Sequence, residues 1–497
     1  MVLVAIAVVF LIARSPTMLR QAGALDEDFF AMPGWTAATE GIPRLPIYPS
    51  RDRLGNFYKA DVALFTLPPA FFYWQAPWHL AIGPGYSAAR FGSATAGIIS
   101  LWLVYALGRR WYGCELTALV AAGLLSCSRY FFFPATTARP DMLCTMLCLA
   151  AYWGMTAWSE DRRGGWAAFA GAFSGLAVLA HPFGAVAATQ IGCWALLGHT
   201  TWRKRLVAAA LVVFGFLAAL ATWLPLILAF PEEFRTQFMN NVVHPQTTGL
   251  IERFVMLAPV VARQWPFFVE LGNPIQAMLA LAGLAGATWL DARRRGGPRV
   301  VVALAWSSLY LLMVMLGTHP WKHYLSLPAA LLFLCVARVL VVSAGAIARR
   351  WAWRPAWPLA ASVIGVIALM MPGYGLRAWA TYVAHWNDID YDCPRFVERM
   401  MAELPADAVY LVDQSYVFPV WLTGRKTYLL TYVVPEIIPD SDYLIVAPQG
   451  LEWRLHEQFA GDRERTFGTR ESIFACYAEV FDREGMHHQP RWREDRP

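Results

Sequence analysis

A chain of 497 residues that is 57% hydrophobic and only 15% charged reads as an integral membrane protein, because soluble chains carry about a quarter charged residues. The formal net charge of +6 comes from basic residues gathered in short loops, which reports topology and excludes a nucleic-acid partner. Length alone would suggest several soluble domains. The even spread of apolar runs points instead to one large helical bundle.

Residues 1–13 are continuously apolar and have neither the basic flank nor the small-residue cleavage site of a signal peptide. They read as a first span. The run is short against the roughly 20 residues a span needs, so a start upstream of Met1 stays open. Residues 14–80 form a long outer loop with three features: the acidic stretch Leu25-Asp26-Glu27-Asp28-Phe29-Phe30, prolines 43, 46 and 49, and the aromatic stretch Leu67-Pro68-Pro69-Ala70-Phe71-Phe72-Tyr73-Trp74. Helices lying in the membrane interface are expected here, since Trp and Tyr favour that depth.

Further spans are expected at 91–108, 114–133, 141–158, 166–181, 184–198, 206–229, 275–290, 299–316, 324–346 and 357–372, about eleven in all. Arg109-Arg110, Arg162-Arg163, Arg203-Lys204-Arg205, Arg293-Arg294-Arg295 and Arg349-Arg350 fall in alternate short loops. Basic loops face the cytoplasm. The N-terminus is then cytoplasmic, and the acidic loop and the C-terminal part are extracytoplasmic. Residues 230–274 form a second long outer loop, in which Asn240-Asn241-Val242-Val243-His244-Pro245 should break any helix and 250–264 should form an amphipathic one.

From residue 373 the chain turns polar. Val409–Val412, Lys426–Leu430 and Tyr443–Val446 read as strands, and Pro394–Leu404 and Leu451–Ala460 as helices. The fold class is therefore mostly α: a polytopic transmembrane bundle over 1–372 with a small extracytoplasmic α/β domain over 373–497. Six of the eight cysteines lie in or beside apolar runs and read as small core residues. Cys393 and Cys476 lie in the polar part and could pair if it faces an oxidising compartment.

Four polar clusters fall at the outer ends of helices: Asp26-Glu27-Asp28, Arg139-Pro140-Asp141, His181-Pro182, and His319-Pro320-Trp321-Lys322-His323-Tyr324. Ionisable residues at membrane depth are costly and point to function. Each also has a plainer reading. Asp26 could be a solvated loop acid. Arg139 and Asp141 could be an ion pair that starts a helix, with Asp141 favoured by the helix dipole. His181 could simply end a helix, and His319, Lys322 and His323 could be interfacial anchors.

Together the clusters suggest one chemistry. A carboxylate can act as general base on an acceptor. A cationic cluster can hold a lipid-linked phosphate and stabilise it as it leaves. The apolar bundle can hold a polyprenyl tail. No cofactor is indicated. A divalent metal would require the carboxylates to meet His181, His244 and His319, and no spacing argues for one.

At this point the sequence resembles the polytopic, lipid-phosphate-sugar-dependent glycosyltransferases of the GT-C fold. The nearest branch is the glycosyltransferase family 39-like group, with the protein O-mannosyltransferases and lipid A aminoarabinose transferases. The resemblance rests on Asp26-Glu27, Pro68–Trp74, Ala89-Arg90-Phe91-Gly92-Ser93, Ala138-Arg139-Pro140-Asp141, Gly175–His181 and His323–Ala329, in that order. It implies Asp26 as catalytic base, supported by Glu27, with Asp141 and Arg139 lining the same cavity. Lys322, His323 and Tyr324 would lie near the lipid phosphate, together with His181 and His319. It also implies an inverting transfer from a polyprenyl-phosphate sugar donor to an extracytoplasmic acceptor. One departure concerns the phosphate contact: the family often has Lys directly before the Pro-Pro pair, where this chain has Leu67, and Lys59 is the nearest substitute.

The rival class is a lipid or solute transporter, or a flippase. It predicts charges in mid-span and similarity between two halves. The expected spans are almost free of charge and no half-to-half repeat is visible, which favours the enzyme. A scaffold protein would leave the four clusters apart.

Overall fold

A computed structural model of the chain describes residues 1–24, 26–198, 201–243, 257–293, 299–316, 323–352, 354, 356–370, 374–430, 441–452 and 463–482. The first helices are α1 (Val2–Arg20), α2 (Glu27–Glu40), α3 (Ala70–Ile82), α4 (Tyr86–Tyr112), α5 (Glu115–Ser126), α6 (Arg129–Phe132) and α7 (Asp141–Asp161). Next come α8 (Gly164–Ala180), α9 (Gly184–Leu197), α10 (Trp202–Ala221), α11 (Leu224–Ala229) and α12 (Pro231–Phe238). They are followed by α13 (Leu257–Arg293), α14 (Arg299–Leu316), α15 (Ser326–Arg350), α16 (Ala356–Met370) and α17 (Tyr374–Ala384).

Eleven apolar helices stand at the eleven expected spans. Among the described residues, six are long and apolar enough to cross a membrane unaided: α1, α4, α7, α10, the Asn273–Arg293 part of α13, and α15. Helices α5, α8, α9 and α14 are shorter, and α16 forms with α17 a pair bent by 71°. Helix α1 runs to Arg20, beyond the apolar run, so residues 14–20 are helix where a loop was expected. Arg14 makes that extension tolerable. It donates to the carbonyls of Phe10 (3.2 Å) and Ser126 (2.9 Å), and its guanidinium lies 3.7 Å from the Phe10 ring centroid.

Helices α8 and α10 meet through glycines. A Cβ on Gly171 would lie 2.0 Å from the Val212 carbonyl oxygen, and one on Gly215 would lie 2.0 Å from that of Ala168. Small residues at such contacts let backbones approach where apolar burial against lipid gives no net drive.

The first outer loop folds as two helices, α2 and α3, packed on each other. The second outer loop clamps onto it through α12. Gln237 is fully buried. Its oxygen accepts from the backbone amides of Phe65 (2.7 Å) and Thr66 (2.9 Å), and its nitrogen donates to the carbonyls of Tyr58 and Ala63, both at 2.8 Å. The stretch expected to break the helix begins where α12 ends, at Phe238, and His244 and Pro245 lie outside the described residues. Residues Met239–Val243 continue as a π-helical turn, because the Asn240 amide donates to Arg53 and Gly55 and that of Asn241 to Asn56 and Gln237. Of the expected amphipathic helix, residues 257–264 are helical and continue into α13, which kinks at Asn273. Residues 250–256 and His244 lie outside the described residues.

The C-terminal part opens with α18 (Cys393–Ala402) and continues through β1 (Val409–Val412), α19 (Val417–Leu422), β2 (Lys426–Leu429), β3 (Tyr443–Val446), α20 (Pro448–Glu452), β4 (Arg463–Gly468) and β5 (Tyr477–Asp482). The sheet order is β2-β1-β3-β5-β4. Strand β1 pairs parallel with β2 and β3, and β5 pairs antiparallel with β3 and β4. The three expected strands are present, and β4 and β5 are additions. Helix α20 begins three residues before the expected Leu451 start, and 453–460 lie outside the described residues. This domain sits on the outer loop and the bundle. Gly23 N–H donates to the Ser415 carbonyl (3.0 Å), Tyr86 Oη to the Gln414 carbonyl (3.0 Å), and Leu429 N–H to the Ile47 carbonyl (3.2 Å).

Candidate active site

The acidic triplet begins α2, where first-turn carboxylates suit the positive end of the helix dipole. Successive residues of a helix point about 100° apart, so the three carboxylates take three directions. Glu27 is fully buried and faces Arg90 of α4. Its oxygens accept from Arg90 Nε (2.8 Å) and Nη2, and from the backbone amides of Ala138 (2.6 Å) and Ala24 (3.0 Å). Arg90 in turn donates to the carbonyls of Gln21 (2.7 Å) and Ala22 (2.9 Å). This pair ties the starts of α2 and α4 to the segment before α7. Glu27 thus supports the site from behind and does not face its open side. Sequence reasoning gives Arg90 no role; the signal that could have found it is a cation in the second turn of a membrane-spanning helix.

Asp28 is also fully buried. Neither of its carboxyl oxygens has a hydrogen-bond partner among the described residues. Burial first, and the Asp26 charge second, push its pKa well above the usual carboxylate range.

Asp26 alone reaches the open. Its side chain is 39% exposed, and Oδ2 accepts from Arg139 Nη1 at 2.8 Å. Arg139 is buried, and its Nε donates to Asp141 Oδ2 at 3.0 Å. The guanidinium also lies near the rings of Phe30 (5.5 Å) and Tyr324 (6.0 Å). Burial opposes its charge, but Asp141, Tyr324 and Asp26 raise its pKa above the ordinary value. The result is a row, Asp26–Arg139–Asp141, with a half-open carboxylate at one end.

The other end of the row opens on a narrow crevice with about 330 Å³ of empty space, lined by Asp141, Thr145, His181, Phe183, Tyr324 and Ser326 among others. His181 lies in the turn between α8 and α9, and its ring centroid is 4.7 Å from that of Tyr324. Burial brings its pKa down to about 4, so it is a neutral imidazole at physiological pH. Three of the four clusters named from sequence therefore converge. The fourth is represented by Tyr324 and by the 3₁₀ turn His323–Leu325. His319 and Lys322 lie outside the described residues, as does the side chain of His323.

Lys59 is not brought to the row. It pairs with Glu232 (2.9 Å) and Glu233 (3.4 Å) at the clamp between the two outer loops. The Leu67 departure therefore finds no substitute there. Among the described residues no group of three His, Cys, Asp or Glu side chains gathers to hold a metal ion.

A family model described as dolichyl-phosphate-mannose-protein mannosyltransferase matches residues 66–228. No curated protein matches the chain in sequence. Among solved structures, ArnT from Cupriavidus metallidurans bound to undecaprenyl phosphate is similar, with a TM-score of 0.59 at 15% identity, over 96% of this chain and 97% of that one. The archaeal oligosaccharyltransferase AglB from Archaeoglobus fulgidus, in complex with an inhibitory peptide and a dolichol-phosphate, is similar at a TM-score of 0.53 and 12% identity, over 99% of this chain and 74% of that one. The structures give the fold, a polytopic helical membrane fold shared with these transferases, and residues 66–228 are similar to the mannosyltransferase family.

Proposed function

We propose that the protein moves a sugar from a polyprenyl-phosphate carrier to a protein, lipid or glycan acceptor on the extracytoplasmic face, with inversion at the anomeric carbon. The observation that carries this reading is the row Asp26–Arg139–Asp141, which holds one half-exposed carboxylate at one end and reaches a crevice between spans at the other. Asp26 takes the proton from the acceptor hydroxyl or amine. The acceptor atom attacks the anomeric carbon from the side opposite the phosphate. The carbon–oxygen bond to phosphate then breaks, and polyprenyl phosphate leaves with the electron pair.

Arg139 is committed to two carboxylates, so its role is to fix the direction of the Asp26 carboxylate. Charge on the leaving phosphate falls to the Tyr324 side of the crevice, with His319, Lys322 and His323 as the cationic groups of that segment and His181 beside it as a neutral hydrogen-bonding group. The undecaprenyl and dolichyl phosphates bound by the two structural relatives support a carrier of this class. The alternation of basic loops supports the outward placement of the site.

The test uses purified protein in nanodiscs, a panel of polyprenyl-phosphate sugars and envelope acceptors, with release of free polyprenyl phosphate as readout. Asp26→Asn keeps the size and the Arg139 contact but cannot take a proton. It should lower release by about 10²–10⁴-fold, the usual worth of a general base, while eluting and melting as the wild type does. Wild-type release from the variant would overturn the mechanism.

A further inference from the structure

The C-terminal domain holds two cysteines that the transfer reaction does not use. Cys393 is the first residue of α18, and Cys476 immediately precedes β5. Both are buried, at 1% and 2% exposure. Far apart in sequence, they meet in space. The Cys476 amide donates to the Asp390 carbonyl at 2.6 Å, three residues before Cys393, and both thiols, free in this structure, lie in one buried cluster with Phe396 and Tyr416. Tyr416 closes over them, with its hydroxyl held by the backbone of Tyr477 on both sides at 3.0 Å.

Contact with Cys393, and burial after it, push the Cys476 thiol above its usual range. A thiol so placed reacts slowly in the folded protein, so the pair must react while the domain folds. Cys144 and Cys148 also touch, but they sit one turn apart on α7, inside the bundle and away from any aqueous oxidant.

We propose that Cys393 and Cys476 form a disulfide in the mature protein. This rests on the extracytoplasmic placement of the domain given above, because disulfides persist in oxidising compartments and not in the cytosol. The oxidant is a thiol–disulfide oxidoreductase in its disulfide form. One cysteine thiolate attacks the donor disulfide, and the second displaces the donor from the mixed disulfide. The pair loses two hydrogens and the donor leaves as a dithiol.

The bond would staple the start of α18 to the sheet. That start also anchors the domain to the membrane part: Asp392, the N-cap, lies 3.5 Å from Arg20 at the end of α1, and Arg20 donates to the His385 carbonyl. The staple therefore holds the outer domain against the loop that carries Asp26.

The experiment uses full-length protein from native membranes, with thiols blocked at lysis and peptides mapped before and after reduction. A parallel variant, Asp407→Cys, places a thiol at an exposed position of the same domain and is probed in intact cells with a membrane-impermeant maleimide. The expected result is a cross-linked pair of peptides carrying Cys393 and Cys476 that disappears on reduction, with Asp407→Cys labelled from outside. In Cys393→Ser the remaining Cys476 should then be alkylated after denaturation without reductant. Free thiols at both positions, with Asp407→Cys labelled from outside, would overturn the pairing and leave the outward placement standing. Labelling of Asp407→Cys only after permeabilisation would overturn the outward placement and the disulfide with it.

Discussion

Arg90→Leu is the sharpest test of how the site is held. Glu27 and Arg90 are almost wholly buried, and every strong contact of each is made by the other or by backbone: Glu27 by two amides, Arg90 by the carbonyls of Gln21 and Ala22. Removing the guanidinium leaves the carboxylate buried with two amides and no cation. Breaking such a pair from one side costs about 3–5 kcal/mol. Removing both charges, as in Arg90→Leu with Glu27→Gln, costs less, because well-packed neutral groups replace a buried ion pair at little loss. The assay is fluorescence-detected size exclusion after heating in detergent, for wild type, both single variants and the double. The single variants should melt well below wild type and the double should recover part of the loss. An Arg90→Leu protein that melts as wild type does, or a double variant whose loss is the sum of the singles, would refute the claim that this pair joins α2, α4 and the Arg139 segment.

Two further outcomes follow from the packing and the charges. Gly171→Leu should lower the melting temperature by the equivalent of about 1–3 kcal/mol or more, since the added carbon meets backbone and not a movable side chain; an unchanged melting curve would refute the close α8–α10 contact. Asp28 has its folded-state pKa raised above the unfolded value, mainly by burial. Its neutral form therefore favours folding below the unfolded pKa, and that stability is lost as pH rises through the folded pKa. Asp28→Asn should accordingly match wild type in acid and melt higher than wild type at alkaline pH; a variant that melts lower at alkaline pH would refute the burial argument.

The bundle was legible in the sequence because the membrane leaves few options: an apolar run must be a helix, and each of the eleven expected runs carries a helix among the described residues. What hydropathy could not give was where each helix stops. The apolar run ends at residue 13, so 14–20 read as loop, yet Phe10 and two carbonyls hold the Arg14 cation within the helix. The outer domain failed at its edge for a related reason. Strand β4, with Arg463-Glu464-Arg465 leading it, has the composition of a solvated turn, and only pairing with β5 makes it a strand. At the site, spacing singled out Asp26, Arg139 and Asp141 but could not say which of three neighbouring carboxylates is the working one.

Helix geometry separates them. A turn of helix at the membrane surface must send one side chain toward the lumen of the site, one toward the scaffold and one toward the core. Asp26 is left half open because it precedes the first full turn as the N-cap. Glu27 finds Arg90 because α4 enters beside it. Asp28 points inward, where burial raises its pKa well above the usual carboxylate range. One acidic triplet thereby supplies the proposed base, a tether and a buried carboxyl. The carboxylate at the open end is held from behind by Arg139 at 2.8 Å, and Asp28, two residues on, is turned away from it into the core. If that division is right, moving the carboxylate by one position should fail even though composition is unchanged. Asp26→Asn with Asp28 intact leaves a carboxylate two residues away that cannot turn toward the acceptor without unwinding the first turn of α2.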